Sequence, residues 1–162
     1  MKQLILAIIG ILPLATPVTG GANERIAMRQ SEAGTFYIPV HIEGVGATDF
    51  LVDTGSSHTT INEATLAVLK ANGMAKYAYD IKGVMVDGAV KVVPVYSIRS
   101  IDIGHLCVLK DVEAAVFPGE SRQILGLSAL SKVSSVVFTM SPPSLQLHDC
   151  DGGSTRTAVS AP

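Results

Sequence analysis

Asp53 is the residue of this chain best placed to do chemistry. It ends the apolar run Phe50-Leu51-Val52 and is followed by Thr54, Gly55, Ser56 and Ser57. That pattern delivers a carboxylate from a buried strand into a tight turn. Gly55 admits a backbone path that a β-carbon would obstruct. The short hydroxyls of Thr54 and Ser57 are suited to lock such a turn by local hydrogen bonds. A carboxylate held rigidly and partly desolvated can exchange protons with a reacting group, which is general acid–base work.

Other candidates carry less. Ser56-Ser57-His58 sets serine beside histidine, but neighbours in sequence rarely reach triad geometry, and no Gly-x-Ser-x-Gly elbow occurs. Asp102 lies on the alternating run Ile98 to Ile103 and reads as a solvated or turn residue, not as a second catalytic acid. The four histidines, His41, His58, His105 and His148, are scattered without ligand spacing. Cys107 and Cys150 do not make a metal site; they suit one disulfide in an oxidising compartment or two unpaired thiols. No metal or cofactor is therefore expected. No glycine-rich phosphate loop is present, and a net charge of −2 gives no reason to expect a nucleic-acid partner.

The segment Phe50-Leu51-Val52-Asp53-Thr54-Gly55-Ser56-Ser57, with Thr59-Thr60-Ile61 after it, resembles the active-site segment of the retropepsin-like (retroviral-type) aspartic proteases. A second anchor is Ile124-Leu125-Gly126-Leu127-Ser128-Ala129-Leu130, which is similar to the family's late Leu-Gly turn and following helix. A third is Val84-Met85-Val86-Asp87-Gly88-Ala89-Val90, which resembles the flap hairpin. The three occur in the family's order within residues 35–148. The resemblance implies an all-β fold: an acid-protease barrel with one or two short helices, closed by a flap. It implies peptide hydrolysis by two aspartates, each given by one subunit of a homodimer, with no cofactor and no metal. Asp53 would be catalytic, Thr54 would brace the two turns, and Gly55 would shape the turn. Asp87, Gly88 and Ala89 would cover a peptide or protein substrate. A single Asp-Thr-Gly fits a one-domain, exported, bacterial-type member, since two-domain relatives carry two. The rival of another class is a catalytically inactive peptide-binding or assembly module that keeps Asp53 as a turn former.

The elements that must position Asp53 follow from local pattern. Thr35 to Ile42 is a strand in which Pro39 marks an edge or a bulge. Glu43 to Gly46 turns, and Thr48 to Val52 returns to Asp53. Asn62 caps a helix over Glu63 to Ala71, which Asn72-Gly73 ends. Asp87-Gly88 between β-branched runs marks a hairpin within Tyr77 to Val95. Ile98 to Ile103, Leu106 to Leu109, Val112 to Val116, Ser135 to Met140 and Ser144 to Leu147 read as strands, and Leu127 to Lys132 as a short helix. The composition is 48% hydrophobic with no Trp, in keeping with a Val/Ile/Leu-rich β core.

The flanks read differently. Lys2, the apolar run Leu4 to Leu14 and Gly20-Gly21-Ala22 form a signal peptide over residues 1–22. The alternative is a retained membrane anchor, against which the run falls short of the ~20 residues of a spanning helix. The mature protein is then expected in the periplasm or beyond it. Residues 23–34 read as a linker, 35–148 as the protease-like domain and 149–162 as a disordered tail.

Overall fold

The computed structural model describes residues 25–84, 88 and 90–150. Residues 1–22, read as a signal peptide, Asp87 and Ala89, read as flap residues, and residues 151–162 of the expected tail lie outside the described residues. In chain order the elements are β1 (Ile26–Ala27), β2 (Arg29–Gln30), β3 (Phe36–Ile42), β4 (Gly46–Val52), β5 (Thr59–Asn62), α1 (Glu63–Ala71), β6 (Ala75–Val84), β7 (Val90–Ile103), β8 (Cys107–Phe117), β9 (Ile124–Leu125), α2 (Leu127–Leu130), β10 (Ser135–Met140) and β11 (Pro143–His148).

The main sheet runs β2-β3-β4-β9-β5-β8-β7-β6, and β3 pairs with β7 as well. The pairings therefore return on themselves: β3, β4, β9, β5, β8, β7 and back to β3. Each of these six strands thus has a partner on both sides over at least part of its length. The result is all-β with two short helices, as expected, but not a regular barrel. Two of its pairings are parallel, β9 is two residues long, and β6 stands outside the ring. A separate sheet has the order β1-β11-β10.

The core follows from alternation. Along β3, Phe36, Ile38, Val40 and Ile42 are buried, while Pro39 and His41 face out. They meet Phe50 of β4, Ile61 of β5, Leu69 of α1, Ile101 and Ile103 of β7, Leu109 of β8 and Leu125 of β9. Pro39 is not bulged, and it lies at a local edge, a stretch of β3 with a strand partner on one side only. The β2 pairing ends at Tyr37 and the β7 pairing starts at Val40, so the missing N–H falls between two partners. Asn62 caps α1 as expected, its Oδ1 accepting from the Thr65 N–H at 2.8 Å.

Three expectations differ. Within 23–34, read as a linker, β1 and β2 are paired strands, and Ile26 and Met28 enter the core. Ile26 lies against Gly104, where an added β-carbon would meet its side chain at 2.2 Å. The two strands read at 106–109 and 112–116 are one strand, β8. Asp111, with φ of 50°, absorbs the irregularity that looked like a break. The late helix stops at Leu130, short of Lys132. The cysteine alternative resolves as a Cys107–Cys150 disulfide with Cα atoms 5.1 Å apart, so a residue of the presumed tail is tied to the core.

Candidate active site

β4 delivers Asp53 in the way its sequence implies. Leu51 and Val52 pair in parallel with Ile124 and Leu125 of β9. The ladder continues one step, with the Asp53 N–H donating to the Leu125 carbonyl at 3.2 Å. The carboxylate then folds onto its own turn. The Gly55 N–H donates to Asp53 Oδ1 at 2.9 Å, and the Ser56 N–H donates to the Asp53 carbonyl at 3.3 Å. Asp53 stays half-buried and Thr54 and Gly55 are exposed, so the three face outward together. The reason for Gly55 is close approach. It is not among the residues with positive φ, but an added β-carbon would sit 3.1 Å from Asp53 Oδ1.

The lock on the turn is not the one expected from Thr54 and Ser57 hydroxyls. The Ser56 hydroxyl donates to the His58 carbonyl at 2.7 Å. From behind, the N–H groups of Leu127 and Ser128 donate to the Ser56 and Ser57 carbonyls at 2.9 and 3.1 Å. These are first-turn donors of α2, which have no partner within the helix. The Ser128 hydroxyl accepts from the Thr59 N–H at 2.8 Å and donates to the Glu113 carbonyl at 2.6 Å. Gly126 allows the approach: a β-carbon there would lie 2.3 Å from the His58 carbonyl oxygen and 2.9 Å from that of Ser56.

Tyr79 and Glu113, which belong to no motif of the sequence, stand beside this turn together with His58. His58 Nε2 lies 3.3 Å from the Tyr79 hydroxyl, which donates to Glu113 Oε2 at 2.7 Å. That bond, then burial, then the carboxylate's charge hold the Tyr79 phenol above the ordinary tyrosine range. No local signal marks Tyr79 or Glu113. Ser128 lies in the Leu-Gly segment, where no local signal gives it a role.

The other candidates do not assemble. The Ser56 hydroxyl bonds the backbone of His58, not its imidazole, and that ring bonds Tyr79, so no serine–histidine pair forms. Asp102 binds His105 Nδ1 at 3.1 Å and pairs across the sheet with His41. Among the described residues no group of three His, Cys, Asp or Glu side chains is arranged to hold a metal. Gly88 is exposed with φ of 81°, and beyond its two sides the hairpin ladder begins at Val84 and Val90.

The sequence model of the Aspartyl protease family matches residues 38–129, more than half of the chain. The chain belongs to this aspartyl protease family. The matched span runs from β3 through the Asp53 turn to α2, so it contains every element that braces the turn. Among solved structures, the chain is similar to a retropepsin-like aspartic protease from Rickettsia conorii. The two share 20% identity with a TM-score of 0.54, over 77% of this chain and 89% of that one. That likeness shows a retropepsin-like fold. No curated protein matches the sequence.

Proposed function

We propose that the protein is an aspartic endopeptidase that hydrolyses peptide bonds with a water activated between two Asp53 carboxylates, one from each chain of a homodimer. The observation that carries this reading is the Asp53 turn. It holds a half-buried carboxylate by backbone bonds on an outward-facing Asp-Thr-Gly, braced from behind by β9 and α2. Two carboxylates a few ångströms apart share a proton, because both cannot ionise comfortably. The ionised one takes a proton from water as it attacks the scissile carbonyl. The protonated one gives its proton to the carbonyl oxygen. Thr54 braces the two turns across the axis. Asp87, Gly88 and Ala89 of the β6–β7 hairpin cover the peptide, and the positive φ of Gly88 suits such a tip.

Export is part of the same reading. The disulfide supports an oxidising compartment, periplasmic or extracellular. Among the described residues no helix is long and apolar enough to cross a membrane. Residues 1–22 act as a cleaved signal peptide.

The test is Asp53→Asn, assayed on a diverse peptide mixture read by mass spectrometry. Asparagine keeps the size and the bond from Gly55 but cannot titrate. Cleavage products of the parent are expected to disappear while thermal stability holds. Turnover within a few-fold of the parent would sink the aspartic mechanism.

A further inference from the structure

The β6–β7 hairpin leaves the body of the protein as a two-stranded ribbon. β8 pairs with β7 only from Val95 onward. Residues 80–84 and 90–94 have only each other as strand partners. Such a ribbon has little stability or orientation of its own, so its direction is decided at its base. One face of the base is apolar, where Val93, Val95 and Ala115 pack with Ile81 and Phe117. A polar anchor adjoins it on the same face and runs through Tyr79, directly across from Val95.

A bulge lies just before it. The register passes from Tyr77 opposite Tyr96 to Tyr79 opposite Val95, leaving Ala78 as the extra residue. Bulges re-aim the side chains that follow them. Tyr79 is aimed back over the sheet, where its hydroxyl reaches Glu113 of β8 and its ring meets His58 edge-on, with centroids 6.4 Å apart. The hydroxyl has one proton and gives it to the carboxylate, so His58 Nε2 is the donor to the tyrosine oxygen. The chain of bonds runs His58 to Tyr79 to Glu113. Each end is tied to the catalytic turn: the His58 carbonyl accepts from Ser56, and the Glu113 carbonyl accepts from the Ser128 that holds Thr59.

We infer that Tyr79 is a positioning residue, which fixes the β6–β7 ribbon relative to the Asp53 turn by joining His58 to Glu113. The kinetic part of its test rests on the peptidase reading; the structural part does not. Tyr79→Phe keeps the ring and removes both bonds, and Glu113→Gln removes the charged acceptor.

Hydrogen–deuterium exchange of the full chain is measured first. In both variants, amides in 56–60 and in 77–83 should exchange about tenfold faster, with those of β3 unchanged. If either segment keeps its parent rate, or if β3 accelerates equally, the coupling is wrong. Steady-state kinetics come second. The loss of a charge-assisted bond predicts about tenfold weaker kcat/KM in Tyr79→Phe, carried by KM, and no further loss when Glu113→Gln is added. An unchanged KM, or losses that multiply in the double variant, would overturn the assignment. If the parent shows no turnover, the peptidase reading fails and the exchange data alone decide the coupling.

Discussion

Tyr79 reports its hydrogen bond through its titration. The bond to Glu113 is the first cause of the upward shift, followed by burial and the carboxylate's charge. A raised folded-state value means that the folded protein holds the phenol proton more tightly than the unfolded chain. Its contribution to stability is therefore fully present below the ordinary tyrosine range and is lost as pH rises through the folded-state value. Tyrosinate absorbance should show two phenols titrating late, those of Tyr77 and Tyr79, and Glu113→Gln should bring only the Tyr79 phenol back toward the ordinary range. An unchanged late titration of Tyr79 in that variant would contradict the bond. His58 and Glu113 are the side chains that face this hydroxyl, and neither could be assigned to it from the sequence. They lie 21 and 34 positions away, on the loop after Asp53 and on β8.

The junction of β9 and α2 is the element on which the Asp53 turn rests. Gly126 has an ordinary negative φ of −100°, so its requirement is space and not a left-handed conformation. A β-carbon would collide with three backbone atoms of Ser56 and His58, which have no flexible end to move aside. Gly126→Ala must push α2 and the turn apart and lengthen the bonds from Leu127 and Ser128. Thermal or denaturant unfolding should show a loss of about 2–4 kcal/mol, of the size that overpacking and broken buried hydrogen bonds produce together. A loss under about 0.5 kcal/mol, the range of surface substitutions, would show that the junction yields easily.

At the scale of the molecule, two features can be tested as wholes. The disulfide closes a loop between residues 43 positions apart, joining β8 to the segment after β11. Restricting the unfolded chain over such a loop is worth roughly 4 kcal/mol in the chain-entropy treatment. Cys150→Ser should lower the stability by about 2–4 kcal/mol, and reductant should then have no further effect. The proposed homodimer makes a different prediction. Specific activity should fall on dilution below the dimer dissociation constant. An excess of Asp53→Asn chains should depress parent activity beyond simple dilution, since mixed dimers hold one titratable Asp53. A monomer by sedimentation with full specific activity at all concentrations would refute the shared site.

The sequence by itself determined what depends on near neighbours. An apolar run into Asp-Thr-Gly makes the strand-to-turn at Asp53, and Asn62 before an apolar-faced run makes α1 from Glu63 to Ala71. The Leu-Gly segment was recognisable for the same reason, since a short run of residues carries the signal. Tertiary structure decided what depends on residues far apart. The ring closes because β3 meets both β4 and β7. Residues 26–30 are too short a run to read as strands, and become strands only because β11 and β3 offer them partners. β8 stays continuous through Asp111 because β7 pairs with it in one register from Cys107 to Ala115, overriding the local break that its sequence suggests. The lock on the turn passed from the adjacent Thr54 and Ser57 hydroxyls to Ser128, 69 positions from Thr59. Backbone donors take whichever acceptor the packing brings within reach, and that choice is made by the fold and not by spacing along the chain.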